Sequence, residues 1–353
     1  MSKAAICVVV PVYKAMATLD RCVESVLAQQ VEGGLTCILV DDGSPDESGT
    51  LCDAWAAKDG RVTVIHQDDL GVSGARNSGL AAADSEFIVF LDSDDALRPG
   101  ALQAALTAQR AAPQDFVVWH YTTDEKDPAA VTADAEPRTQ AGLARLWLDC
   151  LLAMPWNKLY RADLAKQLQF DVQYTLGEDL QFVLDYISLL GQTVPEFGYR
   201  VMTSPLTFYD CSRGGTLSTR YHANYCDIWP KHFAKLNAPC HAAACPAEDM
   251  RPLHRAELQV FAEGVADIMR RDPSPTQRLK GYKAEAALRS PWLRALLERM
   301  KIEHCYSAYY LPCRWRNVGL VCRVDEARRA NAPLYGKLDW AGYYLLLGKM
   351  KRD

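Results

Sequence analysis

Five short runs rich in Val, Ile and Phe recur through the first 121 residues, with segments of helical period between them. They are ICVVVPVY (6–13), TCILVDD (36–42), RVTVIHQ (61–67), EFIVFLD (86–92) and DFVVWHY (115–121). Apolar runs of this length, bounded by Gly, Pro and Asp, have the character of parallel strands buried on both faces. Leu19, Cys22, Val23, Val26 and Leu27 repeat at helical spacing between the first two runs, and Leu102 and Leu106 do so after the fourth. Alternating β and α elements predict an α/β fold with a doubly wound sheet. Its binding crevice should lie at the carboxyl ends of the strands.

A chain of 353 residues is about twice a typical domain. We expect an α/β domain over 1–222 and a helical C-terminal region over 223–353, where Leu258, Phe261, Val265 and Ile268 form a stripe and little strand signal remains. Within the α/β domain, TTDEKDPAAVTADAEPRTQ (122–140) is polar and without period, which predicts a mobile connection able to act as a lid. A helix near 141–153, the run WNKLYR (156–161), a helix opening at Glu178-Asp179 and a short strand near 206–210 follow.

Composition narrows the function classes. With 49% hydrophobic and 24% charged residues the chain is not disordered. No apolar run approaches the roughly 20 residues of a bilayer span, and the start lacks the order of a signal peptide, so a cytoplasmic location is expected. Cys7, Cys22, Cys37 and Cys52 lie singly within apolar segments and read as reduced core thiols. Residues 1–239 carry 19 basic and 31 acidic side chains, whereas 240–353 carry 20 and 13. An acidic front binds an anionic substrate poorly unless a cation bridges the two. The basic rear can face anionic lipid or be solvated helix surface, and it makes peripheral membrane contact one expectation.

Four motifs fall where this fold places a ligand. Asp41-Asp42-Gly43-Ser44 follows the second strand, where a carboxylate can accept hydrogen bonds from a base or ribose; the alternative is a turn with a capping Asp. Asp92-Ser93-Asp94-Asp95 ends the fourth strand, and its carboxylates repel unless a hard cation such as Mg²⁺ or Mn²⁺, or hydrogen bonds, compensate. LGVSGARNSGL (70–80) places glycines around Arg76, which can pair with phosphate or pack on a base, or mark a plain loop-to-helix junction. Gly177-Glu178-Asp179 opens a helix, where a carboxylate is either an ordinary cap or a general base.

In order and spacing, VVVPVYKAMATLDRCVESVLAQQ, VDDGSPDESG, GVSGARNSGL, FLDSDD, WNKLYR and GEDLQF resemble a family 2 glycosyltransferase of the GT-A fold, of the bacterial type that builds capsular, exopolysaccharide or lipopolysaccharide sugars. RGGTLSTRYH (213–222) is similar to the segment that closes the donor site in that family. The resemblance covers about residues 5–222. It implies a Rossmann-like mixed sheet and an inverting transfer from a nucleotide-sugar donor, UDP-linked, to a glycan or lipid-linked acceptor. A divalent cation, Mn²⁺ or Mg²⁺, is the implied cofactor. Pro11, Tyr13, Asp41 and Asp42 would line the nucleotide pocket, Arg76 would lie near base and phosphates, and Asp92 and Ser93 would belong to the donor side. Asp94 would ligate the metal, and Asp179, beside Glu178, would be the base. His222 is open between completing the metal shell and capping a helix, and Trp156, Asn157 and Lys158 could touch acceptor or diphosphate, with Trp156 equally open to a place in the core.

The Gln-x-x-Arg-Trp signature of processive synthases is absent, so transfer of single sugars is expected. A nucleotidyltransferase would need a basic Gly-rich signature that VVVPVYKA lacks, and a non-catalytic pseudo-transferase would have lost the carboxylates. Nothing points to nucleic acid. Cys240, His241 and Cys245 have no second ligand pair at finger spacing, which argues against zinc.

Overall fold

The computed structural model describes residues 3–174, 176–211, 221–332 and 335. The chain divides into two compact units, Met1–Gly214 and Gly215–Asp353, each described here by itself; the expected boundary was 222/223. Most of RGGTLSTRYH, and the C-terminal KLDWAGYYLLLGKMKRD (337–353), lie outside the described residues.

The first unit opens with β1 (Ala4–Val12), α1 (Leu19–Leu27), β2 (Leu35–Asp42), α2 (Ser48–Lys58), β3 (Val62–Gln67), α3 (Gly71–Ala82) and β4 (Ser85–Phe90). Strands β3, β2, β1 and β4 are parallel neighbours, as the apolar runs require. Along β1 every residue after Ala4 is buried, because helices cover both faces. On α1, Leu19, Cys22, Val23 and Val26 form the buried stripe that the spacing predicted. Gly79 lets α3 lie close on the sheet: a Cβ there would collide with Val9.

The sheet continues through β5 (Ala96–Leu97), α4 (Ala101–Ala111), β6 (Phe116–Thr122), β7 (Ala135–Thr139), α5 (Leu143–Leu148), β8 (Lys158–Arg161), α6 (Ala162–Ala165), α7 (Glu178–Thr193) and β9 (Gly198–Phe208). Its order is β3-β2-β1-β4-β8-β6-β9-β5, with β7 on β9, nine strands among the described residues. Because β8 runs antiparallel to both β4 and β6, the sheet is mixed and doubly wound.

Two expectations need correction. The segment 122–140 is not a free connection: its last residues form β7, antiparallel to β9. Arg98 Nη2 also donates to the carbonyls of Asp127 at 2.8 Å and Ala129 at 2.5 Å. The pattern is silent because β7 is largely exposed, contains Pro137, and pairs Arg138 with Glu136 instead of burying apolar groups. The strand expected near 206–210 spans eleven residues, Gly198–Phe208. Arg200, Ser204 and Pro205 interrupt its apolar run, and its register against β6 shifts on both sides of His120.

The second unit is helical throughout its described residues: α8 (Tyr225–Ala242), α9 (Ala247–Arg271), α10 (Gln277–Leu288), α11 (Pro291–Ile302), α12 (Tyr310–Arg314) and α13 (Val318–Arg329). Side-chain caps start three of them, with Thr276, Ser290 and Asn317 accepting from Leu279, Leu293 and Leu320 N–H at 3.2, 3.3 and 3.0 Å. Leu258, Phe261 and Val265 of α9 anchor the core, together with Leu293 and Leu297 of α11 and Tyr309. No helix among the described residues is long and apolar enough to cross a membrane.

Candidate active site

Parallel register brings the ends of β1, β2 and β4 side by side. Val12 lies opposite Asp41, and Leu91 N–H donates to Val9 C=O at 3.0 Å just before Asp92. Pro11 is buried at the end of β1, whereas Tyr13 stands exposed with Lys14 Nζ 4.9 Å from its ring centroid.

The two β2 carboxylates differ in use. Asp41 Oδ1 accepts from Ser44 N–H at 3.2 Å and its Oδ2 pairs with His66 Nδ1 at 3.0 Å. Burial raises the Asp41 pKa, but those hydrogen bonds outweigh burial and hold it below the usual carboxylate range. His66 is tethered from its other side by Asp53 at 3.1 Å, and both carboxylates raise its pKa. Asp42 Oδ1 accepts from Gln67 Nε2 at 2.7 Å and Leu70 N–H at 3.0 Å, so it holds the turn into α3. Sequence reasoning missed His66; its place opposite Asp41 on the neighbouring strand is the signal that could have found it.

Arg76 is 3% exposed and joins two motifs far apart in sequence. Its Nη2 donates to Asp92 Oδ1 at 2.8 Å and its Nη1 to Asp179 Oδ1 at 2.6 Å. Its guanidinium lies 5.3 Å from the Phe170 ring centroid. The two carboxylates raise its pKa although burial opposes them. Such a buried guanidinium fixes the two carboxylates relative to one another.

Asp179 is the second residue of α7, after Gly177 in the left-handed region at φ +77°, with Glu178 half-buried beside it. Burial pushes the Asp179 pKa up to about 7; Arg76 opposes this and Glu178 adds to it. Its side chain remains 32% exposed, and no hydrogen bond to its Oδ2 occurs among the described residues.

The Asp92–Asp95 loop divides its carboxylates among different tasks. Asp95 is fully buried, its Oδ1 accepting from Asp210 N–H at 2.9 Å while Oδ2 has no partner. Burial first, then Asp92, pushes its pKa up to about 9. Arg21 of α1 clamps the loop, its Nη2 donating to the Asp94 carbonyl at 2.6 Å and to Asp210 Oδ2 at 2.7 Å. Ser93 and Asp94 stay half-buried on the same turn. Arg21, Asp95 and Asp210 form a supporting frame that the motif alone did not reveal. The half-buried carboxylates of Asp92 and Asp94 offer hard oxygen donors of the kind that would suit a divalent cation.

The tentative acceptor residues are corrected by burial. Trp156 stacks on Tyr209 with centroids 5.3 Å apart. Asn157 is fully buried, and its Nδ2 donates to Trp119 C=O at 3.0 Å. Lys158 is also fully buried, and its Nζ reaches Leu151 C=O at 2.7 Å, Met154 C=O at 2.5 Å and Asn157 Oδ1 at 2.6 Å. Burial pulls its pKa down, yet three acceptors use the three protons of an ammonium. All three side chains are buried in this structure, and Asn157 and Lys158 spend their polar atoms on protein partners.

His222 falls in the second unit, where its carbonyl accepts from Tyr225 N–H at 3.1 Å at the head of α8. That unit also holds His254, Glu303 and Cys305 with ligand atoms within 4.8 Å of one another. Arg299 Nη1 donates to His254 Nε2 at 3.4 Å, so the neutral imidazole donates from Nδ1 to Glu303 at 2.6 Å. The group is satisfied as a hydrogen-bond network.

The family model described as Glycosyl transferase family 2 matches residues 7–169. Glycosyltransferase GlyG of Streptococcus pneumoniae serotype 4 is 39% identical over 124 residues, 35% of this chain and 41% of that relative. The chain spans about half the length of the curated relatives it matches. Among solved structures, residues 1–349 of S. aureus TarS in complex with UDP-GlcNAc align over 93% of this chain and 92% of that one, with TM-score 0.60 and 17% identity. The mannosyltransferase PcManGT of Pyrobaculum calidifontis, with GDP-Man and Mn²⁺, aligns over 90% and 87% with TM-score 0.50 and 17% identity. Residues 7–169 thus match a glycosyl transferase family 2 model, and the fold is the GT-A fold of the solved neighbours.

Proposed function

We propose that this protein moves a single sugar from a nucleotide-diphosphate sugar, UDP-linked, to a hydroxyl of a glycan or lipid-linked acceptor in cell-surface polysaccharide synthesis, with inversion. The observation that carries this reading is the Arg76 bridge, which ties a carboxylate of the Asp92–Asp94 loop to Asp179 through contacts of 2.8 and 2.6 Å. A donor-side loop and a proton acceptor thereby share one rigid support.

Each residue then has a defined task. Tyr13 offers a ring at the end of β1, and Asp41 presents a carboxylate held ionised by Ser44 and His66 to the N–H of a nucleobase. Asp94, with Asp92, would hold a divalent cation, which when bound neutralises charge on the leaving diphosphate. Arg76 occupies Asp179 Oδ1, leaving Oδ2 as the oxygen that takes the acceptor hydroxyl's proton as that hydroxyl attacks the anomeric carbon. A base with a pKa near 7 matches transfer at neutral pH.

The test is release of nucleoside diphosphate and of a glycosylated product from a panel of nucleotide sugars, with Mn²⁺ or with EDTA. NMR of the product should show the anomeric configuration opposite to the donor's. Retained configuration would remove Asp179 from its role, and a panel without a single binder by thermal shift would remove the donor reading altogether.

A further inference from the structure

One surface of the second unit sets two strongly exposed apolar side chains among basic ones. On α11, Leu293, Leu296, Leu297 and Met300 face the core, which leaves Arg294, Glu298, Lys301 and Ile302 on the outer face at helical spacing. Arg314, at the end of α12, donates from Nη1 to Glu298 Oε1 at 3.0 Å and so docks the turn 314–316 onto that face. The turn is held by Trp315 N–H to Leu311 C=O at 2.9 Å and Arg316 N–H to Cys313 C=O at 3.0 Å. Arg316 itself takes the left-handed region at φ +54°.

Two features of this face are costly in water. Ile302 is 77% exposed and Trp315 63%, both in contact with solvent although each gains from leaving it. Around them stand Arg294, Lys301, Arg314 and Arg316, against two acids: Glu298, which Arg314 pairs, and Glu303, which His254 engages. Among the described residues no ion pair engages Arg294, Lys301 or Arg316.

We propose that this face docks on an anionic lipid bilayer, with Ile302 and Trp315 entering the interface and the four basic side chains lying among the headgroups. The charge selects the partner. Two copies of a basic face repel in a two-fold contact, which disfavours self-association. A polyanion such as nucleic acid could stack Trp315 but offers no apolar phase to Ile302. A bilayer satisfies both, since indole belongs at the headgroup boundary and aliphatic side chains enter the acyl region below it. The attraction falls with salt.

The proposal is independent of which sugar is moved, and its test needs no substrate. The full chain is mixed with vesicles of phosphatidylglycerol and phosphatidylcholine, or of phosphatidylcholine alone, and sedimented at low and high salt. Binding to the mixed vesicles at low salt and loss of that binding at high salt are expected. Ile302→Ser with Trp315→Ser should weaken it by about tenfold or more, and Lys301→Gln or Arg316→Gln by about fivefold each. All four positions are exposed, and circular dichroism with a melting curve confirms that each variant is folded. Absence of wild-type binding at low salt would overturn the proposal. So would equal binding to phosphatidylcholine alone, or a folded double variant that binds like the wild type, which would assign attachment to another segment. Dimerisation in sedimentation velocity that the double variant abolishes would reassign the face to a second copy.

Discussion

Arg76 Nη1 lies 2.6 Å from Asp179 Oδ1, so the candidate base is ion-paired and oriented before any acceptor arrives. Burial nevertheless pushes its pKa up to about 7, against that cation. Since the ionised form is the base, kcat/KM should rise with pH through about 7 and level off above it. Asp179→Asn keeps the shape and removes basicity; transfer should fall by roughly 10²–10⁴-fold while donor affinity, read by calorimetry, changes little. Ordinary turnover in that variant would leave Asp179 a helix cap.

Replacing Arg76 tests the bridge itself. Arg76→Met leaves Asp92 and Asp179 facing one another without the buried cation, and should cost about 3–5 kcal/mol of unfolding free energy by denaturant titration. In whatever fraction folds, the acid limb of the pH profile should move upward, because the group that lowers the Asp179 pKa is gone. An unmoved limb with unchanged stability would show that the bridge does nothing for the base.

Asp94→Ala should remove most turnover together with its dependence on added Mn²⁺ or Mg²⁺, because it deletes a hard oxygen ligand to the cation on the leaving diphosphate. Wild-type rates in EDTA would reject a metal-assisted mechanism.

Donor recognition should centre on Asp41. Losing a hydrogen bond to a charged group is worth about 1.5–3 kcal/mol, so Asp41→Ala should weaken nucleotide binding by roughly 10–150-fold. His66→Ala, which frees Asp41 Oδ2 without deleting it, should have the smaller effect. Calorimetry that finds Asp41→Ala binding as tightly as wild type would end the base-reading role.

How far the sequence could be read depended on what buries each element. The strands β1, β2, β4 and β6 were legible because their apolar runs are buried, β3 by its Val and Ile content although it is a half-exposed edge strand, and α1 by the buried stripe Leu19, Cys22, Val23 and Val26. The pair Ala135–Thr139 and Gly198–Phe208 was not, since one is exposed and the other is broken by Arg200, Ser204 and Pro205. Local motifs located Asp41, Asp92, Asp94 and Asp179, each at a strand end or helix start. They could not distribute the work: Arg76 reaches partners 16 and 103 residues away, and Arg21 reaches Asp210 across 189. Short polar-apolar contrast also left Asn157 and Lys158 open as substrate contacts, although their polar ends find carbonyl and amide acceptors inside the protein.

The distribution of cysteines gives the molecule built-in clocks of its own opening. Cys7, Cys22, Cys37 and Cys52 are buried in the first unit, and Cys240, Cys305 and Cys313 in the second, while Cys150 and Cys211 stand exposed. A thiol-reactive probe should therefore modify the exposed pair at once and the seven buried thiols only as often as their surroundings unfold, with burial slowing them further by raising thiol pKa values, to about 11 for Cys7. Read peptide by peptide, the two slow sets would tell whether the units melt as one cooperative body or as two, without introducing a single mutation.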